Sequence, residues 1–243
     1  LYLGGVAYWP GVLIGDLLAN DYSVLPLGSA LGQTCGNVLE VVIATLLIRR
    51  LVRHESPLAT VRGVGVIAIS VAAGAAVSAN IGATSLLSGS VIGVHELPKV
   101  WRTWWLGDAS GALLVVPLAL AWYAPLPKDW SRARWLEAGS LLLGVVALAE
   151  VATRSTTPIA YLVFPVLIWA ALRFGQRGAT LAVAVTAVIT VWNVTHYAGP
   201  FHFNSITRSV LSTQLFIAVS VLTTLSLAAA VTERERFALR LAA

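Results

Sequence analysis

The chain has 243 residues, of which 58% are hydrophobic and only 11% charged, and its mean hydropathy is +0.82. Ordinary globular domains carry about 25% charged and 45–50% apolar residues. Composition therefore excludes a soluble domain and leaves a polytopic membrane protein. The net charge of +5 carries information by position, because Lys and Arg placement sets membrane orientation. No clustered basic surface suggests nucleic acid as a partner. Cys35 is the single cysteine, so an internal disulfide is excluded and the residue reads as a small buried helix residue.

Eight apolar segments follow one another, near 4–20, 29–51, 63–88, 101–123, 135–153, 158–174, 178–196 and 209–231. Most approach the roughly 20 residues needed to cross a bilayer. The expected fold is an all-α, polytopic membrane helix bundle of about eight transmembrane helices. The first segment is interrupted by Trp9-Pro10-Gly11 and reads as a spanning, short or re-entrant helix; it carries Asp16 and Asn20. The second carries Gln33, Asn37 and Glu40, and the third carries Asn80. The fourth opens with Trp101, Trp104 and Trp105, residues that favour the lipid–water interface, and holds Asp108 about one turn deeper. Segments five to eight are blander. Glu150 and Arg154 have the i,i+4 spacing of a helix-end ion pair. Asn193 and His196, with His95, Glu96 and His202 in loops, match no standard metal motif, so no metal and no cofactor is assigned. No Ser-His-Asp, Walker, Cys-x-x-Cys or His-Glu-x-x-His pattern appears.

An ionisable group exposed to lipid at the bilayer centre costs roughly 2.5–3.5 kcal/mol. The polar residues of segments one to four should therefore face the bundle interior. Two readings stand side by side: they share one ligand cavity, or they hydrogen-bond helices together. The candidate ligand or signal residues are Asp16, Asn20, Asn37, Glu40, Asn80, Trp101, Trp104, Trp105 and Asp108. The same helices carry small residues four apart, Gly11/Gly15, Gly32/Gly36, Ser78/Gly82 and Gly107/Gly111, a spacing that lets helices pack closely.

Twelve of the sixteen Lys and Arg residues fall on alternate loops: Arg49, Arg50, Arg53 and Arg62; Lys128, Arg132 and Arg134; Arg173 and Arg177; and Arg234, Arg236 and Arg240. Lys99, Arg102, Arg154 and Arg208 fall on the other side. By the positive-inside rule the C-terminus is cytoplasmic, and nearly all the polar residues lie in the outer half of the bilayer. Residues 232–241, Thr-Glu-Arg-Glu-Arg-Phe-Ala-Leu-Arg-Leu, contain good helix formers and no Gly or Pro. The last helix is expected to run on from the membrane bundle (1–231) as the start of a signalling helix (232–243). With no Met in the chain, we expect a membrane portion of a longer protein, cut at both ends, with an output domain beyond Ala243.

Four stretches carry a resemblance: Tyr8-Trp9-Pro10-Gly11 with Gly15 and Asn20; Gly32, Asn37 and Leu39-Glu40; Ser78-Ala79 with Gly82 and Leu86; and Trp101-x-x-Trp104-Trp105-x-Gly107-Asp108-Ala109-x-Gly111 followed by Pro117. Together they resemble the bacterial membrane-associated sensor domain of the first MASE type, over roughly residues 4–120. The resemblance implies a sensory input module of about eight helices in the bacterial inner membrane. Such modules precede histidine kinase, diguanylate cyclase, phosphodiesterase or PAS modules. One relative, a sugar-phosphate sensor kinase, reads its signal through a transporter-like partner. It implies no catalytic residues. The partners expected are the bilayer, a small ligand or membrane protein, and a second copy joined through the output domain. Two rival readings remain: a small-solute or cation transporter using Asp16, Glu40 and Asp108, and a passive membrane anchor.

Overall fold

A computed structural model describes every residue except 21–22, 53–55, 124–129 and 243, and of 240–242 it describes the backbone only. The expected turn residues Asp21, Tyr22, His54 and Glu55, and the cations Arg53 and Lys128, lie outside the described residues. Seven α-helices form: α1 Trp9–Ala19, α2 Leu27–Leu51, α3 Val61–Ser88, α4 Leu97–Tyr123, α5 Arg132–Arg154, α6 Phe164–Thr195 and α7 Ile206–Ala242. The described residues contain no strand, so the class is all-α. Six helices, α2 to α7, are long and apolar enough to cross a membrane. Among the described residues the expected eight spans are not reached, and two local reasons bear on the count.

The first reason is the length of α1. It has 11 residues, about 17 Å at 1.5 Å per residue, against a hydrocarbon core of about 30 Å. Pro10 sits in its first turn, where a missing N–H breaks no helical bond. Gly5 before it has φ +112°, outside any right-handed helix. The second is the path of α6, which holds both segments 158–174 and 178–196, parted at Gly175 where the sequence predicts their boundary.

Helix α6 is not straight. Gly175 within it has φ 58° and ψ −144°, a conformation reserved for glycine. Just before it, the Arg173 carbonyl accepts a hydrogen bond from Arg134 at the start of α5, at 2.9 Å. Near the other end, Asn193 donates to Glu150 at 3.1 Å and Thr153 at 3.0 Å, at the end of α5. A Cβ on Gly178 would lie 2.8 Å from the Ala170 carbonyl oxygen, whereas eight residues of straight helix span about 12 Å. The chain therefore doubles back at Gly175. Limb 164–174 runs antiparallel to α5, and limb 176–195 runs parallel to it.

Internal contacts divide the chain into two compact units. The first comprises Leu1–Pro57 and Gly65–Ala109, which is α1, α2, most of α3 and the first half of α4. Its helices meet through small residues. Ser29 donates to the Ser85 carbonyl at 2.8 Å. A Cβ on Gly32 would lie 2.5 Å from Ser85 Cβ, one on Gly36 3.2 Å from the Ser78 carbonyl oxygen, and one on Gly74 2.7 Å from that of Glu40. Without a hydrophobic drive in lipid, such backbone approach is what holds helices together. Gly11, Gly15 and Gly111 are corrections to the expected packing set: each faces open space, with nothing within 4 Å of a built Cβ. Gly107 is half-buried.

The second unit comprises Leu58–Val64 and Ser110–Ala243. Ser131 caps α5 by accepting the Arg134 backbone N–H at 3.2 Å. The buried stripe Leu141, Val145, Ala149 and Ala152 recurs at helical spacing, and Leu167, Ala170, Val221 and Leu225 complete the core. Gly199, at φ 92°, would put a Cβ 1.8 Å from the Thr153 carbonyl oxygen. Only glycine seats the loop before α7 on the end of α5. Helix α7 then runs unbroken for 37 residues, about 55 Å, and includes the expected exit segment as far as Ala242.

Candidate functional site

Four helices of the first unit bring polar side chains to one place. Each of three contributes a pair on one face, because residues three or four apart share a face: Asp16 and Asn20 on α1, Asn37 and Glu40 on α2, and Trp104 and Asp108 on α4. Helix α3 contributes one small hydroxyl, Ser78, which is fully buried. Glu40, Ser78 and Asp108 all fall near the middle of their helices.

The side chains form one connected network. Asn20 donates to Asp16 Oδ1 at 3.0 Å, and Asn37 donates to the same oxygen at 2.6 Å. Ser78 donates to Asn37 Oδ1 at 2.8 Å and lies 3.3 Å from Asp108 Oδ2. Asp108 also lies beside the Trp104 side chain and beside Glu40. Glu40 is 9% exposed, whereas Asp16 and Asp108 are half-buried. The network can hold a proton or present carboxylate and amide oxygens to a polar ligand.

Glycine makes room for this arrangement. A Cβ on Gly82 would fall 2.3 Å from the Trp104 ring, so the six-membered ring of the indole sits against bare backbone. Trp105 donates its indole N–H to the Ala72 carbonyl at 2.9 Å, a second bond for an acceptor already inside α3. Trp101 stacks on Trp105 with ring centroids 5.8 Å apart. The three tryptophans are half-buried and clasp α4 to α3 as well as fronting the site.

Not every candidate joins the network. Asn80 is exposed and donates to Ala76 of its own helix at 2.6 Å. It lines a shallow depression of about 320 Å³ with Thr84, Pro98 and Trp101. The buried amide nitrogen of Gln33 has no partner among the described residues. Ser78 was read only as a packing residue, yet it joins the α2 pair to the α4 pair. Its signal in the sequence was its place midway between Gly74 and Gly82, on the face that admits close neighbours.

Two of the loop histidines make ring contacts. His196 stacks on Trp192 at 4.1 Å and His202 meets Tyr197 edge-on at 5.5 Å. Among the described residues no group of three His, Cys, Asp or Glu side chains could hold a metal. Glu150 and Arg154 form the expected pair at 2.9 Å.

The MASE1 family model matches residues 1–235. The chain belongs to the MASE1 family. No curated protein and no solved structure matches it. The match extends well beyond the four sequence stretches noted above and takes in the whole second unit up to the exit of α7. A MASE1 chain is a membrane sensory input domain, which fits the six apolar helices among the described residues.

Proposed function

We propose that this MASE1 domain receives its signal at the Asp16–Asn37–Ser78–Asp108–Glu40 network and relays it through α7 to an output domain, a histidine kinase or a diguanylate cyclase. The observation that carries this reading is the network itself. One chain of hydrogen bonds joins four helices, so a ligand or membrane partner that competes for any member changes how all four pack. A signal shifts the domain only by binding two packings with different affinity. A bundle whose α2 and α3 meet at glycine and serine offers such alternatives at low cost.

The doubling-back at Gly175 supports the orientation. Counting each limb of α6 as one crossing returns the start of α7 to the side of Arg154 and Arg208. Its end then lies with Arg134, Arg173 and Arg177 of the same unit. Within this unit the Arg-rich ends fall on one side, as the positive-inside rule expects, and we read that side as the cytoplasmic side of the bacterial inner membrane. The output domain also pairs two copies.

The test is made in the full-length protein. Asp108→Asn keeps the shape of the side chain and removes its charge. Signal-dependent output is expected to be lost while membrane insertion is unchanged. A wild-type response from this variant removes the network from signal reception. Solute uptake by the isolated bundle in liposomes would indicate transport instead. Unaltered regulation after exchange for an unrelated dimeric anchor would indicate a passive tether.

A further inference from the structure

The second unit contains a cavity of about 510 Å³ between the end of α4, the first half of α5 and the turn at Gly175. Its volume falls in the range of about 300–1,000 Å³ typical of small-molecule sites. The floor is apolar and buried, formed by Leu141, Val145 and Ala182. The opening is marked by Trp122 and Trp135, 40% and 54% exposed, and by the open backbone of Gly139, which has nothing within 4 Å of a built Cβ. Two cations, Arg134 and Arg177, line the same cavity.

The arginines are held, not dangling. The Arg134 guanidinium lies over the rings of Trp130 and Phe174, 5.9 Å and 5.1 Å from their centroids, and one of its nitrogens donates to the Arg173 carbonyl at 2.9 Å. Arg177 donates its Nε–H to the Ala121 carbonyl at 3.0 Å. The nearby carboxylate, Glu137, is paired with Arg173. Among the described residues Arg134 forms no ion pair. Its guanidinium presents five N–H donors in a fixed fork suited to phosphate or carboxylate.

We infer that this cavity binds a single anionic phospholipid, its acyl chain in the apolar slot and its phosphate on Arg134 and Arg177. Charge complementarity selects this occupant. A slot that opens to the bilayer through tryptophans admits any acyl chain. A pair of positioned arginines at its mouth, at the basic end of the helices, retains an acidic head in preference to a zwitterionic one. The cavity is separate from the polar network, lies in the other unit, and stands whether or not that network receives the signal.

The test uses the delipidated full chain with phosphatidylglycerol or phosphatidylcholine, scored by native mass spectrometry. Wild type is expected to retain phosphatidylglycerol preferentially. Arg134→Gln should lower that retention roughly tenfold, the loss of one charge-assisted contact, and leave phosphatidylcholine unchanged. Gly139→Leu disturbs no polar contact and fills the slot, so it should reduce retention of both lipids; it keeps the test decisive if Arg134→Gln does not fold. Equal retention of the two lipids by wild type, or unchanged retention in Gly139→Leu, overturns the assignment. Retention of phosphatidylglycerol undiminished in a folded Arg134→Gln overturns it as well.

Discussion

Ser78 has a single hydroxyl proton and two acceptors within reach, Asn37 and Asp108. Replacing it with alanine removes the Asn37–Ser78–Asp108 link, leaves Glu40 beside Asp108, and keeps every apolar contact of α3. Interhelical polar contacts in membranes contribute about 0.6–2 kcal/mol, so Ser78→Ala should lower the thermal stability of the detergent-solubilised domain modestly. Its effect on signalling should be larger, because Asp16 and Asn37 are then cut off from Asp108. A variant that melts lower but signals normally would confine Ser78 to packing. Gly82→Ala is expected to act through sterics. Its new methyl carbon falls in the Trp104 ring, and overpacking costs about 1–3 kcal/mol. Displacement of the indole should show as a shifted tryptophan emission. The ionisable members of the site were legible in the sequence, since a carboxylate in an apolar run demands a partner. Ser78 was less so. A helical hydroxyl commonly bonds its own backbone four residues back, as Thr84 and Thr223 do here, and the residue type alone does not say which partner it takes.

Helix α3 starts where α7 leaves the bundle. The Val61 backbone N–H donates to Glu233 at 3.4 Å, which sets a carboxylate at the N-terminus of α3, where the helix dipole favours negative charge. Further along the same helix lies Ser78, so α3 joins the polar network to the first turn beyond the apolar part of α7. Glu233→Gln should remove the charge, cost less than about 1 kcal/mol of stability, and shift basal output in the full-length protein. Basal output identical to wild type would show that this contact plays no part in the relay. Hydropathy found every apolar run but could not count helices. An 11-residue helix looks apolar over a longer window because Gly4, Gly5 and Val6 before it are also non-polar. The reversal inside α6 depends on one residue, Gly175, in a stretch where Arg173, Gln176 and Arg177 read as an ordinary polar loop. The sequence predicts a break there, and the backbone at Gly175 makes it, as a change of direction. The division of the chain into two compact units left no mark in composition, because both halves are equally apolar.

The exit helix connects input to output, and its continuity makes a quantitative demand. Between Ile206 and Ala242 no glycine or proline interrupts α7, so a rotation or shift at one end reaches the other without a hinge to absorb it. Each residue inserted into such a rod turns everything beyond it by about 100°. Two residues added between Arg236 and Phe237 rotate the output domain by about 200°, to the opposite face of the helix. Seven residues return it to within about 20° of its starting phase while moving it farther from the membrane. A domain that signals by orienting this rod should therefore lose or invert regulation with the two-residue insertion and recover it with the seven-residue one. A flexible tether predicts indifference to both, and a device that senses distance from the bilayer predicts that seven residues do more harm than two. Output measured in full-length protein across insertions of one to seven residues separates these three cases. A response that tracks helical phase is the outcome required if the hydrogen-bonded network among α1 to α4 is to govern an output domain through α7.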